Sequence, residues 1–462
     1  MHLNIKNLGP LREANFELGD LTIICGRNNT GKTYATYALY GFLSFWEGYF
    51  FPHVDEKKID LLLSEGSLVI DLADYIARAD EIIQQACKEY SVRLPRIFAS
   101  SDKLFANVEY AVSIPKEQLV IRPEFSRLYG SAKKDQFSIT KGPDETLEIS
   151  LFLARDRSSV IPKAPLQSSI GTAIKEIIFA AAFPHPFIIS TERTGAAIFR
   201  KELDFARNRL LEQMNLDRNT DPFTLLDKVY ADYPLPVRKN VDFTRRLEEV
   251  SKRDSFIAKH APELLADFSR LIGGQYKVVR DELYYVPDAN KRLRLTMDES
   301  SSAVRSLLDL GFYLHHVAKP GDLLMVDEPE LNLHPENQRG VARLLARLVN
   351  LGIKVFITTH SDYIVKELNT LIMLNQSSRT AQQLRKKEKY RPEELIRAEQ
   401  IRVYMAQSQP VLLEGCKRKT SVLTLAQADI DPRLGIEAES FDHTIDEMNR
   451  IQEALLFAEE DA

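Results

Sequence analysis

The stretch Gly26-Arg27-Asn28-Asn29-Thr30-Gly31-Lys32-Thr33 has the form G-x4-G-K-[ST]. It follows Leu21-Thr22-Ile23-Ile24-Cys25, a short apolar, β-branched run that reads as a buried strand. After it, Tyr34 to Leu43 carries apolar residues at helical spacing. Strand, glycine loop and helix form the context in which this motif holds phosphate. Loop N–H groups and the positive end of the helix attract the anion. Gly26 and Gly31 let the main chain approach where a Cβ would obstruct it. The motif predicts a cradle of Gly26 to Gly31, with Lys32 reaching the β- and γ-phosphates and the Thr33 hydroxyl on Mg2+. A glycine-containing turn before an amphipathic helix is the plainer alternative.

A second constellation lies far downstream. Leu323-Leu324-Met325-Val326 reads as a strand ending in Asp327-Glu328-Pro329-Glu330. Carboxylates at a strand's C-terminal end suit metal-assisted chemistry, with Asp327 as metal partner and Glu328 as general base or water-orienter. Glu330 reads as a solvated or structural charge. Leu331-Asn332-Leu333-His334-Pro335 then opens a helix with Val341, Leu344, Leu345 and Leu348 on one face. A further strand, Lys354 to Thr359, delivers His360 and Ser361. His360 reads either as a structural residue or as a γ-phosphate sensor, and its place after the strand next in sequence favours the sensor.

Composition bounds the rest. The 462 residues hold 61 Lys+Arg against 66 Asp+Glu, a formal net charge of −5, with 44% hydrophobic and 27% charged residues. That excludes a low-complexity chain and one that coats nucleic acid by bulk charge. The longest apolar stretch, from Ile177, is broken by Pro184-His185-Pro186 and is too short to span a bilayer. The N-terminus lacks the layout of a secretion signal. Cys25, Cys87 and Cys416 make neither a disulfide framework nor a CxxC site. A reduced, cytoplasmic protein with no membrane partner is expected.

The glycine loop, the Leu-Leu-Met-Val-Asp-Glu-Pro segment and the Thr-Thr-His-Ser segment together resemble the ATP-binding-cassette class of P-loop ATPases. Within it they are similar to the soluble branch shared by RecF, SMC and OLD-family ATPases (AAA15/AAA21-like), which favours Asn where this chain has Asn28. The Asp-Glu-Pro-Glu-x-x-Leu-His-Pro form is typical of OLD-like ATPases. The resemblance covers roughly residues 1–45 and 186–376. It implies ATP and Mg2+ as cofactors, ATP hydrolysis with Lys32, Glu328 and His360 in the catalytic set, and an α/β P-loop NTPase head with a mixed β-sheet, a helical lobe and a large α+β insertion. It also implies head-to-tail dimers in which a signature segment caps the nucleotide of the opposing subunit. Glu299 to Ser306 is the candidate, with Ser301 and Ser302 as cofactor-binding residues; an ordinary serine N-cap is the alternative. Relatives have Gly where this chain has Ala303. Phe187 to Gly195 resembles the segment that couples the nucleotide site to the helical lobe, although Glu192 and Arg193 read equally well as a buried ion pair.

These motifs divide the chain into head residues 1–45, an insertion 46–186, a head strand and coupling turn 187–197, a helical lobe 198–272, the remaining head 273–376, and a separable accessory or partner-docking region 377–462. In the insertion, Gln136 to Ile139 and Thr146 to Leu151 read as a hairpin, and Leu72 to Tyr90 as helical. The lobe has Leu203, Ala206, Leu210 and Met214 on one helix face and Phe243, Leu247 and Val250 on another, without the heptads of an SMC arm. Arg379, Arg385, Lys386, Lys387, Lys389, Arg391, Arg397 and Arg402 form a basic cluster, read as a solvated face or as a local DNA or RNA contact. The stretch from Phe441 reads as a short amphipathic helix, a partner-docking element or one that packs on its own domain.

Val411 to Gly415 followed by Asp429-Ile430-Asp431 suggests the metal-binding carboxylates of a TOPRIM nuclease. Only about fifteen residues separate them, too few for a parallel βαβ unit. A hairpin with Ser421 to Leu425 as its return strand accounts for them, so no nuclease centre is expected. An OLD-like head with a long insertion resembles the Septu-type anti-phage ATPases (PtuA), which implies control of a separate, HNH-like nuclease effector. A RecF-like DNA-maintenance ATPase is the alternative.

Overall fold

The structure is a computed structural model that describes residues 1–131, 134–143, 146–151, 162–199, 233–280, 282–411, 418–436 and 447–453. The chain divides into two units. The first comprises Met1–Asn4, Phe42–Arg93 and Glu109–Pro184, and the second Ile5–Gly41, Leu94–Val108 and His185–Ala462.

Strands are numbered along the chain. β1 (His2–Leu8), β2 (Leu11–Glu17) and β3 (Leu21–Gly26) come first. In the first unit follow β4 (Ser67–Asp71), β5 (Glu109–Ser113), β6 (Phe125–Ser131), β7 (Lys134–Lys141) and β8 (Thr146–Leu151). The second unit continues with β9 (His185–Ile189), β10 (Gly274–Val279), β11 (Glu282–Pro287), β12 (Asp322–Asp327) and β13 (Lys354–Thr359). It ends with β14 (Ile401–Val411), β15 (Thr420–Gln427), β16 (Ile430–Asp431) and β17 (Gly435–Ile436).

The second unit is built on a mixed sheet in which neighbours run β1-β2-β15-β14-β3-β13-β12-β9. The four strands β3, β13, β12 and β9 are parallel. β3 and β12 are buried along their whole length, as the unbroken apolar runs predict for strands covered on both faces. Their register brings the carboxyl ends level, with Val326 opposite Ile189, Asp327 opposite Thr358, and Thr359 opposite Cys25. All the loops that carry the sequence motifs therefore leave from one end of the sheet.

The expectation of a separable region after residue 376 is corrected. β14 lies inside the sheet between β3 and β15, parallel to β3 with Ala406 opposite Gly26. Ile401, Val403 and Met405 bury one face of β14, while Tyr404 and Ala406 are buried on the other. β14 and β15 pair antiparallel, with Val411 opposite Thr420. This is the hairpin read from the sequence rather than a βαβ unit; Glu414 and Cys416 lie outside the described residues.

Helices cover the sheet. Pro335–Asn350 and Asp362–Met373 share a core with β3, β12 and β13. The described part of the lobe comprises helices Leu235–Arg245, Leu247–Val250, Phe256–His260 and Pro262–Ile272. Leu203, Ala206, Leu210 and Met214, and the start of the C-terminal helix at Phe441, lie outside the described residues. On β9, Asn240 imitates a neighbouring strand. Its Oδ1 accepts the Ser190 amide at 2.8 Å and its Nδ2 donates to the Ile188 carbonyl at 2.6 Å.

The first unit has its own antiparallel sheet, β4-β8-β7-β6. β7 and β8 form the expected hairpin, with Lys141 opposite Leu147. Its core is aromatic: Phe42, Phe50, Tyr90, Tyr110, Phe179 and Phe183 are buried, with edge contacts such as Tyr90–Tyr110 at 4.9 Å and Phe50–Phe179 at 5.0 Å between centroids. Among the described residues no helix is long and apolar enough to cross a membrane.

Candidate functional site

The glycine loop turns from β3 into helix Lys32–Phe45. Gly26 (φ 143°), Asn29 (φ 61°) and Gly31 (φ 91°) supply the positive-φ positions of the turn. Two of the glycines are also required by their neighbours. A Cβ on Gly26 would come within 2.6 Å of the Ala406 carbonyl of β14, and one on Gly31 within 2.6 Å of Leu11 Cγ. Arg27, Asn28 and Asn29 are exposed along the loop, Thr30 half-buried, and the Thr30 hydroxyl donates to the Arg27 carbonyl at 2.7 Å. Lys32 is buried, and its Nζ donates to the Gly26 and Arg27 carbonyls at 2.9 and 2.8 Å. Burial lowers the Lys32 pKa from its ordinary value, and the carboxylates of Glu328, Asp327 and Glu330 oppose that shift.

Across the sheet end, Thr33 Oγ1 donates to Asp327 Oδ2 at 3.3 Å, joining positions 294 residues apart. The other Asp327 oxygen accepts the Thr358 hydroxyl. Asp327 is buried, which pushes its carboxyl up to about 6 against the stabilising Thr358 bond. Thr33 and Asp327 are the oxygen pair that could hold a hard divalent cation.

Glu328 takes a left-handed backbone, φ 52°. Its amide donates to the Thr358 carbonyl at 3.0 Å, and its side chain turns toward His360, whose Nδ1 lies 3.6 Å from Glu328 Oε1. Glu330, expected to be a solvated or structural charge, is buried. Its Oε1 accepts the Thr359 hydroxyl and the His360 amide, each at 2.8 Å, and lies 3.4 Å from His360 Nδ1.

The family follows from these motifs. A profile for an AAA ATPase domain matches residues 1–158 and 213–365, well over half of the chain. The chain belongs to the AAA ATPase domain family. Comparison with curated proteins gives no significant match. Among solved structures, a SmcHead bound to the C-winged helix domain of ScpA is 11% identical, covers 91% of this chain and 97% of its own, and superposes with a TM-score of 0.33. The SMC head domain from Thermotoga maritima is 11% identical over 93% of this chain and 98% of its own, TM-score 0.30. An Smc head with an extended coiled coil, bound to the C-terminal domain of ScpA derived from Pyrococcus furiosus, is 12% identical over 98% of each chain, TM-score 0.32.

This AAA ATPase domain has a P-loop ATPase fold. It gathers Lys32, Thr33, Asp327, Glu328 and His360 at one end of the sheet. Ser301 and Ser302 are exposed at the start of the five-residue helix Ser302–Ser306. The Ser301 hydroxyl accepts the Val304 amide at 3.3 Å, the ordinary cap that the plainer reading expects.

Arg193 was legible only as half of an ion pair. The guanidinium is 2% exposed and makes four hydrogen bonds, all to backbone carbonyls: Ser190 (2.9 Å), Ser306 (2.8 Å), Asp327 (2.8 Å) and Glu328 (2.6 Å). Glu192 is exposed and instead meets the Tyr37 hydroxyl at 3.4 Å. The basic cluster also divides. Arg385 donates to the Gln376 carbonyl, Arg391 pairs with Asp267 and Arg402 with Glu17, while Arg379, Lys386, Lys387 and Lys389 are exposed.

Proposed function

We propose that this AAA ATPase domain binds Mg2+–ATP and hydrolyses it as a switch. The observation that carries the reading is the meeting of Thr33 and Asp327 at 3.3 Å beside the glycine loop. The loop from Gly26 to Gly31 cradles the phosphates with its N–H groups, and Lys32 redirects its ammonium from the loop carbonyls to the outer phosphates. Thr33 and Asp327 hold the cation, which neutralises charge on the phosphates when bound. Glu328 orients and deprotonates the attacking water, and His360 contacts the γ-phosphate.

Two copies then associate head to tail, so that Ser301 and Ser302 of one chain meet the nucleotide of the other. The exposure of both serines supports this; Ser301 caps its own helix through the Val304 amide and would meet the nucleotide from that position. In the finer reading the chain is the ATPase subunit of a bacterial anti-phage defence complex, and its ATP state controls a separate HNH-like nuclease. That reading rests on the motif resemblance. Steady-state hydrolysis by the purified chain, with Glu328→Gln as the trapped form, tests the switch. No hydrolysis by the wild type, or a wild-type rate in Glu328→Gln, would sink it. Co-purification with the neighbouring nuclease and ATP-dependent control of its activity test the finer reading.

A DNA-maintenance ATPase is the second reading, favoured by the exposed cations Arg379, Lys386 and Lys387 on one helix and Lys389 in the turn after it. It predicts ATP-dependent duplex binding whose log affinity falls linearly with log salt. Salt-insensitive or absent binding would remove it.

A further inference from the structure

Glu330 is a charged side chain of which 6% is exposed, and no role in the proposed ATPase cycle assigned above uses it. Burying a carboxylate is costly unless its surroundings compensate. The Lys32 and Arg193 charges lie near it, and its side-chain hydrogen bonds come from one turn of chain, Thr359-His360-Ser361. Glu330 Oε1 accepts the Thr359 hydroxyl and the His360 amide at 2.8 Å each. Thr359 Oγ1 in turn accepts the Ser361 amide at 3.0 Å. The backbone on both sides of His360 is therefore tied to one carboxylate oxygen, directly or through a single hydroxyl.

The ring is addressed by the same oxygen. His360 Nδ1 lies 3.4 Å from Glu330 Oε1 and 3.6 Å from Glu328 Oε1, so two carboxylates face the same ring nitrogen. Ionised carboxylates only accept hydrogen bonds, so this arrangement favours a proton on Nδ1. Nε2, across the ring, is then the nitrogen available to a ligand. The chain geometry makes the double contact possible. Pro329 separates the two acids, and Glu328 at φ 52° turns the backbone between strand and turn. The Leu331 amide closes that turn on the Glu328 carbonyl at 3.1 Å, and the Leu333 amide bonds to the Glu330 carbonyl at 3.0 Å. Glu330 Oε2 is buried with no hydrogen-bond partner, so the acid is not held in place by an unrelated network on its far side.

We propose that Glu330 is a positioning residue for His360: it fixes the height of the His360 backbone and keeps the ring proton on Nδ1. The inference deepens the ATPase reading and rests on it for its kinetic consequence. Glu330 does not touch the nucleotide. It determines which nitrogen His360 presents, and Glu328 shares that task from the other carboxylate.

The test uses the full chain. Glu330→Gln keeps a carbonyl oxygen for the His360 amide and the Thr359 hydroxyl but removes the carboxylate that faces Nδ1. Its affinity for a fluorescent ATP analogue should stay within about threefold of wild type while kcat falls at least tenfold. Glu330→Asp should recover part of that loss. An unchanged kcat in Glu330→Gln would overturn the inference, as would a fall in affinity that accounts for the whole effect. A second measurement needs no variant at Glu330. Long-range 1H–15N spectra of 15N-histidine-labelled wild-type chain, with the His360 signal assigned by its loss in His360→Gln, should report a protonated Nδ1. A neutral ring protonated on Nε2 would overturn the inference even if Glu330→Gln failed to fold. Nucleotide binding without hydrolysis by the wild type would overturn the ATPase reading, and the wild-type ring spectrum would still decide the role of Glu330.

Discussion

Arg193 Nη2 donates to the carbonyl oxygen of Glu328 at 2.6 Å, while Glu328 stands at φ 52°, a conformation that non-glycine residues rarely adopt. The proposed general base is held from both ends: Arg193 takes its carbonyl, and β13 takes its amide through Thr358. Strained backbone persists where surrounding structure over-determines it, and Arg193 is part of that surrounding. Arg193→Ala leaves the Ser190, Ser306, Asp327 and Glu328 carbonyls without their shared donor. Losing a charge-assisted bond costs on the order of 1.5–3 kcal/mol, so a destabilisation of about 3 kcal/mol or more is expected in urea titration. Arg193→Lys, which keeps the charge but not the fork, should recover less than half of it. A loss under about 1 kcal/mol in Arg193→Ala would show that the four contacts are incidental.

Lys32 and Glu328 should separate binding from chemistry. Lys32→Ala removes the ammonium buried beside the loop, and nucleotide affinity should fall at least tenfold by titration with a fluorescent analogue. Glu328→Gln should bind normally, hydrolyse about 10²-fold or more slowly, and accumulate ATP-bound dimers by light scattering. A Lys32→Ala chain with wild-type affinity would dissociate the loop from nucleotide binding.

Asp309 gives the stability a pH dependence of known sign. It is 2% exposed; Oδ1 accepts the Thr244 hydroxyl at 3.4 Å and Oδ2 has no hydrogen-bond partner. Burial pushes its carboxyl up to about 7, opposed by the Arg193 charge and the Thr244 bond. The folded chain thus keeps a proton that the unfolded chain releases near 3.8. Its contribution is fully present below that pH and declines as pH rises towards 7, by up to roughly 1.4 kcal/mol per unit. Asp309→Asn should remove this decline. The wild type should therefore lose more thermal stability than Asp309→Asn between pH 5 and pH 8; parallel curves would refute the assignment.

Gly26→Ala tests the contact between loop and sheet. The new methyl would meet the Ala406 carbonyl at 2.6 Å, at a φ of 143° that alanine resists. A loss of about 2 kcal/mol or more, together with weakened nucleotide binding, is expected. Gly48→Ala, whose Cβ meets nothing within 4 Å, serves as the comparison and should change stability by less than about 0.5 kcal/mol. Equal effects at the two positions would contradict the close approach.

The motifs were legible in the sequence because each is local: a strand, its terminal loop and the following helix supply their own signals. β3, β12 and β13 were legible as strands from apolar runs of strand length, whereas their parallel pairing came only with the fold. The position of β14 did not follow, because alternation at Ile401, Val403 and Met405 identifies a strand but not its neighbour. Arg193 escaped for a related reason. A guanidinium bonded to backbone carbonyls has no side-chain partner in the sequence to betray it. The sequence left Glu330 as a solvated or structural charge, because the turn it bonds, Thr359 to Ser361, lies at another strand's end.

The pairing of β14 with β3 also sets a schedule. Gly26 leaves the ribosome well before its neighbour, because the strand that lies against it begins about 375 residues later, roughly 20–75 s at 5–20 residues per second. Until Ile401 to Ala406 leave the ribosome, one edge of β3 is an open template for wrong partners. The wall that Ala406 gives the nucleotide loop is therefore completed only after that interval.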